Sequence, residues 1–238
     1  MTTTAGNPKV DLASSPHTRS TLGLAALTGL ALFVVSLGTF APESPPEMGQ
    51  ATAAEIRLYA TENAGTLKLN MLSGLIGIVL FTVFVAALAQ HARDLRSHSI
   101  MPGLLLLCGA VSIVHDLLNT AVSTIFAFPH EVASVSDRTL VAWYDLGGVV
   151  DWFGFMVRVA PKMVLIAAFS IFALRTRLMA RWLCWVGLAV AAAGLAAAVD
   201  VNHVLGRVGF VPLIGYWLWP LAVGGALGVR WLKVRRTQ

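Results

Sequence analysis

Residues 70–90 read NMLSGLIGIVLFTVFVAALAQ, 21 residues without one charged side chain. As an α-helix rising about 1.5 Å per residue, the run is roughly 32 Å long, close to the ~30 Å hydrocarbon core of a bilayer. Five further apolar runs bounded by charge or turn residues extend the pattern: Thr21–Phe40, Met101–Phe126, Asp151–Leu174, Trp182–Asp200 and Gly209–Val229. The expected fold is all-α, a polytopic bundle of about six transmembrane helices. Composition agrees: 57% of the 238 residues are hydrophobic and 12% charged, against about 25% charged in an ordinary soluble domain.

Basic residues set the orientation. Lys9 and Arg19, Arg93 and Arg96, the group Arg175, Arg177 and Arg181, and the closing Arg230, Lys233, Arg235 and Arg236 place eleven of the 17 Lys and Arg on one side. The opposite loops hold Glu43, Glu47, Glu55, Glu62, Glu131 and Asp137. Both termini are therefore expected in the cytoplasm of a cell whose inner (plasma) membrane the chain crosses several times. The net charge of +5 is then a topology signal, and no nucleic-acid partner is implied. Ala41-Pro42 is a poor cleavage site, so the first run reads as a retained anchor. Residues 1–20 read as a disordered cytoplasmic tail, 21–230 as the transmembrane domain and 231–238 as a basic tail beside anionic lipid.

Two stretches on the acidic side carry local signals. Thr52-Ala-Ala-Glu55 has the capping-box pattern, Ile56, Tyr59 and Ala60 share a face, and Gly65 offers a stop, so a short surface helix is expected before the second span. Leu140 to Val150 is apolar, but a seventh crossing would put Arg175 to Arg181 on the wrong side. It reads as a surface helix or an outward extension of the fourth span.

Ionisable side chains are costly inside a bilayer and turn toward partners or cavities. In the third span Ser112, Asp116, Asn119 and Ser123 recur at i, i+4, i+7 and i+11, with His115 and Thr120 beside them. In the fourth, Asp151, Arg158 and Lys162 lie within about 40° of one another. Asp116 lies about 15 Å below the outer boundary, Arg158 about 10 Å and Lys162 about 16 Å. A buried pair of Asp116 with Lys162 or Arg158 is expected, beside a polar pocket between the third and fourth spans, open through Asp151, Trp152 and Asn119. Pro161 loosens the helix ladder there.

The candidate ligand-binding residues are thus His115, Asp116, Asn119, Asp151, Arg158 and Lys162. A paired charge set can equally fix helix register alone. His115 lacks a second histidine at its depth, because His203 ends the fifth span, His91 and His98 read as cytoplasmic and His130 as an outer loop. No haem, and no other cofactor or metal, is expected. Cys108 and Cys184 lie in apolar runs and read as buried thiols. Asp200, Asn202 and His203 read as a solvated helix end. Gly187 with Ala191, Gly194 with Ala198, and Gly224 with Gly228 are small-residue spacings that permit close helix approach. Trp143 and Trp152, and Trp182, Trp185 and Trp231, match interfacial belts; Trp217 and Trp219 read as core or lipid-facing, with a place in the pocket lining from the sixth span as the alternative. Walker, GxGxxG, HExxH and GxSxG motifs are absent.

The order of features, with the Ala/Glu-rich stretch ATAAEIRLYATENAG at 51–65 and Arg181-Trp-Leu-Cys-Trp-Val-Gly187 opening the fifth span, resembles an uncharacterised family of bacterial six-span integral membrane proteins, a domain of unknown function. Leu178-Met179-Ala180 stands where that family usually carries a small-residue/proline turn. The resemblance covers about Leu22 to Val229 and implies fold and membrane location, with no catalytic residues to carry over. Three functions remain open: binding, sensing or passage of a small molecule or lipid; an intramembrane enzyme acting on a lipid or isoprenoid, with Asp116 and His115 as acid/base groups; and a structural or assembly subunit. The expected partners are the lipid bilayer and such a ligand, with a homo-oligomer or membrane-complex partner left open.

Overall fold

The computed structural model describes residues 16–37, 45–95, 99–198 and 210–236, with side chains for all of these except 16–19, 151–158, 210–213, 216 and 217. Six long helices carry the fold: α1 (Pro16–Leu37), α3 (Ala64–Leu95), α4 (Met101–Ser123), α6 (Asp137–Thr176), α7 (Arg181–Ala198) and α8 (Phe210–Arg236). Two short ones, α2 (Ala53–Glu62) and α5 (Pro129–Ser134), and a 3-10 turn at Thr124–Ala127 complete the described elements. All the long helices but α8 contain a described stretch long and apolar enough to cross a membrane. This is an all-α, multi-pass membrane bundle.

The helices outrun the apolar runs that announce them. α3 begins at Ala64, six residues before the expected start, and passes straight through Gly65. The stop lies instead at Asn63, whose side-chain amide donates to the Tyr59 carbonyl at 3.1 Å. Leu140–Val150 is the outward extension of the fourth span, part of a single 40-residue helix. Residues 231–236 of the expected basic tail continue α8, while residues 1–15 lie outside the described residues. Polarity marks where lipid gives way to water; a helix with satisfied backbone bonds need not end there.

Each long helix packs on the next, and α8 returns to α1, closing a ring in the order α1, α3, α4, α6, α7, α8. The outward faces are apolar and exposed, as in Leu69, Leu72, Ile76 and Val79 of α3, and Leu107, Val111, Val114 and Leu118 of α4. Apolar side chains facing outward are what a lipid solvent accepts. The ring interior is filled at one level by Phe84, Phe169 and Trp219, from α3, α6 and α8. Trp219 meets Phe84 and Phe169 edge-on at centroid separations of 5.7 and 5.8 Å. Trp219 is therefore core, while the Trp217 side chain lies outside the described residues.

Small residues set the closest contacts, as in membrane bundles generally. At the α1–α8 seam, a Cβ on Gly29 would stand 2.8 Å from the Pro220 carbonyl oxygen and 3.2 Å from the Gly224 Cα. On α7, Gly187, Ala191, Gly194 and Ala198 are all buried along one face, as their spacing predicts. Cys108 and Cys184 are buried free thiols.

The two ends of the ring differ in charge. At one end α2, α5, the 3-10 turn and the start of α6 bury a second small core of Ile56, Ala60, Phe126, Val132 and Leu140. The capping box forms as expected: the Glu55 N–H donates to Thr52 Oγ1 at 3.3 Å and the Thr52 N–H to Glu55 Oε2 at 2.8 Å. Arg57 ties the cap together through Asp137 Oδ1 at 2.7 Å and the Val135 carbonyl at 2.8 Å. The Tyr144 hydroxyl donates to the Pro46 carbonyl at 2.7 Å, and burial pushes its pKa up to about 12. At the other end Arg93, Arg175, Arg177, Arg181, Lys233 and Arg235 are exposed, and Arg230 donates to the Arg177 and Leu178 carbonyls at 3.1 and 3.3 Å.

Candidate functional site

The polar stripe of α4 faces away from lipid, on the opposite side from Leu107, Val114 and Leu118. Ser112 and His115 are buried and Asp116 and Asn119 partly so. Across from it on α6, Lys162 is 5% exposed. Its Nζ donates to Asp116 Oδ2 at 2.8 Å and to Oδ1 at 3.0 Å, and lies 5.8 Å from the Phe81 ring centroid. The expected ion pair therefore forms with Lys162. A lysine at this depth is tolerable only because its charge is neutralised and its donors are used. Asp151, Trp152 and Arg158 belong to α6, but their side chains lie outside the described residues, as does the expected opening through Asp151 and Trp152. Pro161 is inside α6, one residue before the lysine, and removes one backbone donor from the ladder there.

Among the described residues, a groove of about 410 Å³ opens on the α3 side of Asp116; the α6 wall expected around Asp151 and Arg158 lies outside the described side chains. Its walls are Leu32, Val35 and Ser36 of α1, and Asn70, Met71, Gly74, Gly77, Ile78 and Phe81 of α3. The α4 wall is Asp116, Asn119, Thr120 and Ser123. Among the described residues α6 contributes no lining side chain; Lys162 reaches across from α6 to Asp116. Room exists on the other side because α3 carries glycine there: a Cβ on Gly77 would meet nothing within 4 Å, and one on Gly74 would reach only Thr120 Oγ1 at 3.6 Å. Of the six expected site residues, Asp116 and Asn119 line the groove, and His115 and Lys162 stand behind it.

His115 is 8% exposed, and neither ring nitrogen has a hydrogen-bond partner. Its Nδ1 lies 3.8 Å from Asp116 Oδ1, beyond hydrogen-bond length but within reach of a small rotation. Asp116 is thus flanked by an ammonium that it binds and an imidazole that it does not.

A second buried histidine escaped the sequence reading. His91, expected in the cytoplasm, is 1% exposed near the basic end of α3, and both its nitrogens are without partners. Its neighbour Asp94 accepts from the Gln90 amide at 2.8 Å. The signal was present: Phe84, Leu88, His91 and Ala92 continue one helical face past the end of the apolar run. His130 is exposed on α5, and His98 and the Asp200–His203 cluster lie outside the described residues. Among the described residues no group of three His, Cys, Asp or Glu could hold a metal ion.

Comparison with protein-family models, curated proteins and solved structures finds no match to this chain. The functional reading therefore rests on the groove and its chemistry.

Proposed function

We propose that this chain is a bacterial plasma-membrane protein, of the six-span kind its sequence resembles, that holds a small molecule or lipid in the groove bounded by α1, α3 and α4, for binding, sensing or passage. The observation that carries the reading is Asp116: a carboxylate deep in an apolar ring, held by Lys162 yet still presented to a cavity of about 410 Å³. That volume falls in the range of about 300–1,000 Å³ usual for small-molecule sites, and apolar walls with a few convergent polar groups are their usual lining. The basic end faces the cytoplasm on this reading, which puts the capped, acidic end and the groove on the outer half.

The test is to purify the chain under mild conditions and analyse small molecules and lipids retained by the parent and by Gly77→Leu. A Cβ at Gly77 has open space around it, and the rest of the leucine side chain would occupy the groove. A compound enriched in the parent and lost from the variant is the expected result; identical retention in both defeats the reading. His115 beside Asp116 favours the enzyme as a second reading, since a buried imidazole and carboxylate are an acid/base pair. It requires turnover that disappears in a folded His115→Gln variant.

A further inference from the structure

We infer that the groove selects an amphiphile whose polar end is a hydrogen-bond donor, an ammonium or other N–H group on an apolar chain, over an anionic one. This deepens the proposed function and rests on it. The groove offers far more acceptors than donors.

Four hydroxyls line it, and each has already given its proton to its own helix. Ser36 donates to the Phe33 carbonyl at 2.7 Å and Ser73 to the Asn70 carbonyl at 3.0 Å. Thr120 donates to the Asp116 carbonyl at 2.8 Å and Ser123 to the Asn119 carbonyl at 2.8 Å. What such hydroxyls offer a ligand is their oxygen lone pairs. The Asp116 carboxylate adds two more acceptor atoms, on each of which Lys162 uses one direction. The positive charge that balances the carboxylate belongs to Lys162, which lines no part of the groove among the described residues.

Among the described residues the cavity therefore meets the negative member of the pair and not the positive one. An anion entering it would oppose a carboxylate and the hydroxyl oxygens beside it, whereas an ammonium would find acceptors already oriented. Asn119 carries an amide that serves either kind of ligand and does not alter the balance. Leu32, Val35, Met71 and Ile78 supply the apolar wall for a chain.

The experiment uses the full chain in phosphatidylcholine nanodiscs and three probes of equal chain length: decylammonium, decanol and decanoate. Thermal stabilisation is titrated for the parent and for Gly77→Leu. Decylammonium should act at a concentration lower than decanoate by about tenfold or more, the effect of one charge-assisted hydrogen bond, and its shift should vanish in the variant. Thr120→Val and Ser123→Ala, which remove groove acceptors and leave the ion pair intact, should narrow the difference. Repeating the titration with phosphatidylethanolamine separates two sources of the same chemistry: competition by that lipid assigns the donor to a membrane headgroup, and its absence to a free amine. A Gly77→Leu-sensitive shift in which decanoate equals or exceeds decylammonium overturns the donor preference and leaves the groove reading standing. No Gly77→Leu-sensitive shift with any probe overturns both.

Discussion

Lys162 Nζ stands 2.8 Å from Asp116 Oδ2 and 3.0 Å from Oδ1, so a single ammonium bridges both oxygens of a carboxylate 46 residues earlier in the chain. The bridge joins α4 to α6 and holds the carboxylate at the groove wall. Lys162 is the more deeply buried partner, and the two respond differently to substitution.

Asp116→Asn takes the carboxylate charge away from that buried ammonium. Removing one member of a buried pair costs about 3–5 kcal/mol, whereas replacing both with apolar groups is often neutral or stabilising. The single variant should lose folded yield and melt well below the parent, and the Asp116→Leu/Lys162→Met double variant should recover most of the loss. Equal melting of Asp116→Asn and the parent, measured in the same detergent, would remove the energetic case for the pair.

Gly29 and Gly224 should tolerate no side chain. A Cβ at Gly224 would lie 2.9 Å from the Ala26 carbonyl oxygen, and the obstacle is backbone that cannot rotate away. Gly29→Ala and Gly224→Ala should each cost about 1–3 kcal/mol by overpacking. Gly225→Ala, next to the seam but with nothing within 4 Å, is the control and should be silent. Unfolding midpoints of the three variants decide the matter.

The cap at the acidic end of the bundle should loosen in acid. Backbone and side-chain hydrogen bonds from Thr52 hold the Glu55 carboxyl below its ordinary value of 4.5. A depressed folded value means that the carboxylate's contribution is full above 4.5 and is lost as pH falls through the lower folded value. Hydrogen exchange across α2 should therefore accelerate below that range while α3 stays protected. Thr52→Ala removes the hydroxyl half of the box and should already show faster exchange at neutral pH, with a weaker acid response, because the backbone N–H of residue 52 still reaches Glu55 Oε2.

Buried imidazole nitrogens without partners cost stability, about 1–3 kcal/mol for an unsatisfied polar group. His91→Phe should consequently leave the melting temperature unchanged or raise it. A clear drop in a properly inserted variant would mean that His91 has a partner when the protein is in its membrane.

Helix periodicity and depth were enough to narrow the partner of Asp116 to Lys162 or Arg158, because both follow from a fixed rise and angle per residue within one segment; the choice of Lys162 came from the structure. The groove was not legible in the same way. It depends on α1 lying against α3, and on Gly74 and Gly77 leaving room in a stretch that reads as uniformly apolar; neighbour identity is a long-range property. His91 was missed for a different reason. Its helical face continues past Gln90, but polarity ended the expected span at Gln90, and a buried face can extend beyond the lipid boundary. The short helix after Thr52 was legible because a capping box is a local hydrogen-bond pattern. Its stop was misplaced because Gly65 has no need of special geometry once Asn63 makes the turn.

The seam between Gly29 and Gly224 also has a timetable. Those residues are separated by about 195 positions, so at the usual synthesis rate of about 5–20 residues per second Gly29 leaves the ribosome roughly 10–40 s before its partner exists. Through that interval the small-residue flank of α1 has no α8 to cover it. Whatever shields this flank in a living cell, lipid or an insertion factor, has to surrender it when the last helix arrives.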